Sequence, residues 1–493
     1  MKTNKQLILF SFLLLILQDI AAQSCKEIIG YCPNWQVYAR NGIFKASNIK
    51  YSDYTILNYC FFKPETTGLI SNTDATVDQQ LLIGNGSIIT LAHNANVKVM
   101  VSIGGWTLSD NFPAIAASAS KRAAFAGDCN RLLQKYKFDG IDIDWEYPGY
   151  TDHSGTAADK VNFTLFMKQI RDSITSLGNR TGKQYKLSAC FGANVDRMNS
   201  IEWSKIIPIL DMINLMTYDF YGDWDNVAKH NSPLYTFPTC ATNFNVDGAF
   251  NLLINQFSVP ASKINIGVAF YGRSQKGATA LYQATSGGPD LVTFPGEEGA
   301  PAYYSVMANM SKFNYYWDNA AKVPYLLGKS NGSAAGTFVS YDDKKAIGLK
   351  ASYILSKGAR GAIIWDISHD LMETSPGSGI AAGNPLADTL HLVLCGGPTS
   401  ISDEPVLATT IDLSVSPNPA SDFTTIIVNL PNEETYTFSI YDLLGQKLQS
   451  KNYHFIKGIN KIELPLSTIK NGYYFINIQN ETNSISKKLI VNH

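Results

Sequence analysis

Charge is scarce in this 493-residue chain. Only 16% of residues are Asp, Glu, Lys or Arg, and 40 basic against 41 acidic residues leave a formal net charge of −1. That balance gives no general pull on phosphate backbones or anionic lipid, so a charge-driven nucleic-acid or membrane-surface role is excluded. Cysteine is sparse too: the seven, at 25, 32, 60, 129, 190, 240 and 395, are too few for a disulfide scaffold. No CxxC pair or His/Cys cluster has zinc spacing, the seven histidines are scattered, and no phosphate-binding glycine loop occurs. Neither a metal nor a cofactor is therefore expected. Beyond the N-terminus no apolar run is long enough to span a membrane. Rings, by contrast, are plentiful, since 26 Tyr, 24 Phe and 7 Trp together make 57. Rings without charge suit stacking on flat, neutral polymers. The length suits two or three domains.

The first 22 residues have the layout of a cleaved secretory signal. Lys2 and Lys5 precede the apolar run Leu7 to Leu17, and Ala21-Ala22 supply the small residues before cleavage. The run is too short to span about 30 Å of hydrocarbon. A lipid anchor at Cys25 is disfavoured by the preceding Gln23-Ser24. Export permits disulfides, and an odd cysteine count leaves at least one free thiol. Cys60 and Cys190 lie inside apolar strand-like runs and read as buried thiols.

Texture changes near residue 396. Gly396-Gly397-Pro398-Thr399-Ser400 opens a linker over 396–412, and short alternating strands follow over 413–493, such as Thr424 to Val428, Tyr436 to Tyr441 and Tyr473 to Ile478. Pro431-Asn432, Gly445, Gly458 and Asn471-Gly472 separate them. Six or seven strands in about 80 residues imply a small β-sandwich. Ser416-Pro417-Asn418-Pro419, Ile440-Tyr441-Asp442-Leu443-Leu444-Gly445 and Gly472-Tyr473-Tyr474-Phe475 resemble the C-terminal sorting domain of the type IX secretion pathway. The alternative is a carbohydrate-binding or Ig-like module. The resemblance implies a partner in the secretion machinery and a secreted or cell-surface location.

Between residues 25 and 395, apolar runs alternate with helix-like stretches. Candidate strands are Glu27–Tyr31, Tyr54–Phe61, Lys98–Ile103, Gly140–Trp145, Lys186–Phe191, Met212–Met216, Ile264–Phe270 and Gly361–Trp365. Eight buried strands, each followed by a helix, predict an α/β fold, the (β/α)8 TIM barrel. The seventh and eighth strands start 97 residues apart, at Ile264 and Gly361. That is too long for one loop and helix. An α+β insertion is expected at 272–339, between strand 7 and helix 7.

The stretch Phe138 to Pro148 is the most informative. Strand side chains alternate, so Asp142, Asp144 and Glu146 share one face while Ile141, Ile143 and Trp145 share the other. Three carboxyls therefore point into the barrel toward its C-terminal mouth. Burying them ionised would cost several kcal/mol each, so they must share protons or hydrogen bonds. A solvated acidic edge strand would not carry Ile-Ile-Trp on its other face. Asp139, on the other parity, reads as structural.

The run Asp139-x-x-Asp142-x-Asp144-x-Glu146 closely resembles the signature of glycoside hydrolase family 18, the chitinases. Further matches are Ser102-Ile103-Gly104-Gly105-Trp106, Met216-Thr217-Tyr218-Asp219-Phe220-Tyr221-Gly222 with Trp224 beyond, Gly267 to Arg273, and Gly361 to Asp366. Leu187 to Gly192 departs from the family, which more often has small aliphatic residues and proline there. The resemblance implies that Glu146 is the general acid and then base, and that the substrate's own 2-acetamido carbonyl is the nucleophile. Asp144 would orient the acetamido N–H, Asp142 would share a proton with Asp144, and Tyr218 would hold the acetamido carbonyl.

Sugar contacts are expected from Gly104, Gly105, Trp106, Tyr147, Met216, Thr217, Asp219 and Trp224, with Trp365 as the floor under the −1 sugar and Trp35 as a further ring. Tyr31 and Phe61 are pocket wall or barrel filling. Arg273 binds sugar hydroxyls or anchors the insertion. The implied partner is chitin or its oligosaccharides, met by a monomer. Two rivals remain. A non-catalytic chitin-binding lectin typically lacks the terminal glutamate. An endo-β-N-acetylglucosaminidase acting on N-glycan cores usually lacks the insertion.

Overall fold

The computed structural model describes residues 25–396, 412–430, 432–442, 446–480 and 484–493. The expected signal segment, nearly all of the expected linker and Leu443-Leu444-Gly445 lie outside them. The chain divides into two compact units, Met1–Ile401 and Ser402–His493.

In the first unit eight strands form a closed parallel barrel: β1 (Glu27–Pro33), β2 (Ile56–Pro64), β3 (Lys98–Gly104), β4 (Gly140–Asp144), β5 (Lys186–Gly192), β6 (Met212–Met216), β7 (Ile264–Ala269) and β8 (Gly361–Trp365). Closure comes from β1, which pairs with β8 on one side and β2 on the other. The strands are buried along nearly their whole length. That is why they read as continuous apolar runs, as covered parallel strands do. The helices pack outside by an apolar stripe. In Ala119–Tyr136, Phe125, Cys129, Leu132, Leu133 and Tyr136 are buried at helical spacing. Ser118 accepts a hydrogen bond from Lys121 N to cap its start.

Strand ends depart from expectation in one place that matters. β4 stops at Asp144, so Glu146 stands in the loop beyond the strand. A backbone contact holds this exit close to β3: Gly105 N donates to the Asp144 carbonyl at 2.7 Å. Gly104 and Gly105 have φ of +112° and +89°, and a Cβ on Gly104 would overlap that carbonyl. Only glycine permits the approach.

Between β7 and the helix Lys344–Ser356 lies a four-stranded antiparallel sheet, ordered Phe313–Asp318, Val323–Gly328, Thr337–Ser340, Arg273–Lys276, with the helix Tyr303–Asn309. A disulfide joins Cys25, just before β1, to Cys395 at the end of the last barrel helix. A sulfur so bonded cannot carry a thioether lipid. Cys32, Cys60, Cys129 and Cys190 are buried free thiols. One His/Cys group does come together, against expectation. Cys25, His391 and Cys395 meet because the fold closes on itself, and both sulfurs are committed to the bridge. Among the described residues no helix is long and apolar enough to cross a membrane.

The second unit holds seven antiparallel strands among its described residues. Asp412–Ser416, Phe423–Leu430 and Gly458–Pro465 form one sheet. Lys447–Phe455, Glu434–Asp442, Gly472–Gln479 and Ser484–Val491 form the other. Its core includes Ile426, Val428, Phe438, Ile440, Ile476, Ile478 and Leu489.

Candidate active site

Asp142 is fully buried in the barrel, and four other strands supply its partners. Its Oδ2 accepts from the Tyr31 hydroxyl (β1) and the Ser102 hydroxyl (β3), both at 2.8 Å. Its Oδ1 accepts from Ser188 Oγ (β5) at 2.5 Å and Asn214 Nδ2 (β6) at 3.1 Å. Ser102 and Ser188 lie directly opposite Asp142 in the strand register. Burial pushes the Asp142 pKa up, and the four donors oppose that rise. A carboxylate with its acceptor positions so filled is a good place for charge.

Asp144, two residues nearer the mouth, has the opposite environment. It is almost fully buried, and its Oδ1 has no hydrogen-bond partner among the described residues. Burial holds it well above the usual carboxylate range, and the charges of Glu146 and Asp142 add to the rise. No hydrogen bond joins it to Asp142, whose acceptor positions are already occupied. Glu146 is raised to about 7 by burial, with the Asp219 charge adding and the Tyr147 hydroxyl opposing. Its backbone is pinned on both sides: Glu146 N donates to Ser109 Oγ at 2.9 Å, and its carbonyl accepts from His153 Nδ1 at 2.8 Å. The arrangement is a carboxyl with four hydrogen-bond donors at the bottom, one held well above the usual carboxylate range over it, and an acid raised to about 7 at the mouth.

The ends of β6 and β7 form one wall. Tyr218 sits in the buried cluster with Cys190 and Met216, its ring 6.1 Å from Tyr271. Asp219, at φ +56°, is fixed by Asn231, which accepts from its N–H at 2.9 Å. Its carboxylate accepts from Tyr271 OH at 2.7 Å and from Arg273 Nε at 2.8 Å. Arg273 lies 4.8 Å from the Trp224 ring, so it anchors the first insertion strand to this wall. Thr217 is a correction: it is fully buried, and its hydroxyl donates to the Gly267 carbonyl, so it braces β7 and does not face the cleft. Gly104 and Gly105 pack closely against Asp144 and Phe61, where a Cβ would overlap. Tyr31 spends its hydroxyl on Asp142.

Rings form two groups. Trp365, Phe61 and Trp35 stack in sequence, with centroids 5.7 Å and 5.9 Å apart, and Tyr31 tilts against Trp365. Beyond β3 and β4, Trp106 meets His153 at 4.4 Å, Tyr150 at 6.0 Å and Tyr147 at 6.5 Å. Trp106 and Trp224 are 51% and 55% exposed, as a ring must be to receive a flat ligand.

The sequence model of the glycosyl hydrolases family 18 matches residues 27–370, which contain every element of this site. The chain belongs to that family. Residues 414–492 match the secretion system C-terminal sorting domain, which marks this family 18 protein for export to the cell surface or beyond. It is 35% identical over 413 residues to Chitinase A1 of Niallia circulans, covering 72% of this chain and 58% of that one. It therefore spans little more than half of that relative. Chitinase 1 of Aphanocladium album is 31% identical over 69% of this chain and 80% of its own. Among solved structures, Chitinase ChiA74 from Bacillus thuringiensis superposes with a TM-score of 0.67 at 28% identity, covering 95% and 85% of the two chains. A family 18 N-acetylglucosaminidase from Paenibacillus barengoltzii gives 0.62 at 27%, covering 75% and 99%.

Several residues of the family 18 site were not singled out from sequence: Ser102, Ser188 and Asn214 around Asp142, Asn231 under Asp219, and Tyr150 and His153 beside Trp106. The first three carried a signal. Each is a polar side chain set among apolar neighbours in the buried stretch of its barrel strand. The loop residues carried none.

Proposed function

We propose that this chain is a secreted chitinase, hydrolysing β-1,4 bonds between N-acetylglucosamine units by substrate-assisted retention. The observation that carries the reading is the carboxyl series along β4 and just past its end, where Glu146, raised to about 7, follows a buried Asp144 with an unpartnered oxygen and an Asp142 holding four hydrogen bonds. Glu146 gives its proton to the glycosidic oxygen as the acetamido carbonyl oxygen bonds to the anomeric carbon and the leaving sugar departs. Asp144 turns to the acetamido N–H and faces the oxazolinium charge. Tyr218 holds the acetamido oxygen, and Trp365 lies under the ring. Glu146 then takes a proton from water, whose oxygen opens the oxazolinium on the face the leaving group left. Glycosidases with a protein nucleophile need two carboxyls flanking the bond, whereas here the acetamido group fills that role.

The relatives named chitinases support this substrate, and the retained Glu146 weighs against a lectin. The insertion weighs against an endoglycosidase. The N-acetylglucosaminidase among the similar structures supports a second reading, release of single sugars. Product analysis on a chitin hexasaccharide separates them: dimer with tetramer, or two trimers, from the first turnover support a chitinase, while monomer with pentamer supports the second. No cleavage refutes both.

A further inference from the structure

The loop after β4 is more ordered than a connection requires. Tyr150 N donates to Tyr147 O at 2.9 Å, His153 N to Tyr150 O at 3.1 Å, and Gly155 N to Tyr150 O at 2.9 Å. Asp159 closes the loop by accepting from Gly149 N at 3.0 Å and Thr156 N at 2.9 Å. A Cβ on Gly155 would overlap the Tyr150 backbone. The Arg197 guanidinium lies 4.0 Å over the Tyr150 ring and holds the outer side.

These turns deliver one imidazole to two places. Nδ1 of His153 lies 2.8 Å from the carbonyl of Glu146, and its ring centroid lies 4.4 Å from that of Trp106. A carbonyl oxygen only accepts, so Nδ1 carries the hydrogen. Trp106 follows β3 and Glu146 follows β4, whereas Trp365, Tyr31 and Phe61 belong to β8, β1 and β2. With the −1 sugar over Trp365, the Trp106 side belongs to the departing sugar.

We propose that His153 is a positioning residue for the leaving-group side of the cleft: it locks the backbone of Glu146 and the Trp106 ring into one unit, so that the acid and the departing sugar are presented together. This rests on the glycosidase reading above. A residue that merely braced a loop would affect all substrates alike. A residue that couples the acid to the leaving sugar matters most where the leaving group is a sugar that needs a proton, and little where it is a phenolate.

The test compares the full chain with His153→Ala and His153→Asn on a chitin tetrasaccharide and on 4-nitrophenyl chitobioside. His153→Ala is expected to lower kcat/KM on the tetrasaccharide by about tenfold to a hundredfold, with a loss on the aryl substrate about tenfold smaller. His153→Asn keeps an N–H for the Glu146 carbonyl but loses the face against Trp106. It is expected to recover kcat and retain the raised KM on the tetrasaccharide. Equal losses on both substrates, or no loss on the tetrasaccharide, overturn the proposal while leaving the glycosidase reading standing. A wild-type chain that cleaves neither substrate removes both.

Discussion

The two units bury different things. The barrel unit encloses Asp142, Asp144, Asp342, Lys350, His230, Asp366 and Asp370. The described residues of the C-terminal sandwich enclose only Thr424 and Ser439 among polar side chains, and no charged one. Burying ionisable groups costs several kcal/mol unless each finds partners, so a fold has no reason to accept them for stability alone. Some of the barrel's buried charge is structural, as where Lys350 Nζ meets Asp342 and Ser232, both at 2.7 Å. Asp370 likewise accepts from the backbone of Leu386 and Ala387, and His230 meets Asp318. On β4 the pattern differs, because Asp144 is left with an unpartnered oxygen. The sandwich is built to fold, and any use it has lies on its surface. That contrast places the chemistry in the barrel and the address in the tail.

The comparison breaks most sharply at Glu146. Glu146→Gln should lower kcat on chitin oligosaccharides by about 10²–10⁴-fold, the usual contribution of a general acid, while binding persists. Turnover within tenfold of wild type would move the chemistry elsewhere. Next in size is the bridge that closes the barrel unit. Cys395→Ser should destabilise that unit by about 2–4 kcal/mol, read as a lowered melting temperature, with the sandwich transition unmoved. A shift in both transitions would contradict two independent units.

Protonation sharpens the contrast further. Because the folded pKa of Glu146 is raised to about 7, its contribution to stability is complete below the unfolded value near 4.5 and is lost as pH rises through 7. Glu146→Gln should therefore match the wild-type melting temperature at pH 4 and exceed it at pH 8. The same group should set the alkaline limb of kcat/KM near 7, and Asp219→Asn should move that limb to lower pH by removing a nearby negative charge. A limb that stays put would show that Asp219 does not reach Glu146. The smallest expected effect is none. A chain of residues 24–400 should cleave soluble oligosaccharides at the full-length rate, whereas retention of the isolated tail on chitin beads would turn the address label into a binding module.

Much of this was readable along the chain, and the unread part has a common cause. Alternation on β4 was enough to align Asp142 and Asp144, because period-2 geometry is local, whereas Glu146 lies beyond the end of the strand. The contact that holds the strand's exit was not local, since Gly105, just past β3, reaches the Asp144 carbonyl. The donors to Asp142 come from four different strands, so no spacing reveals them. Arg273 was left open between sugar and insertion, and its contact with Asp219, 54 residues away, was equally hidden in the sequence. The Cys25–Cys395 bridge is the extreme case, with a separation of 370 residues that only barrel closure brings together. His153 sits in a polar loop with no periodic pattern to mark it.

The most direct test of the account is a pair of substrates of equal length, a fully acetylated chitin hexasaccharide and its fully deacetylated counterpart, incubated with the same enzyme. If the acetamido group is the nucleophile, only the acetylated chain is cut. Comparable rates on the two would contradict substrate assistance and the roles given to Asp144 and Tyr218.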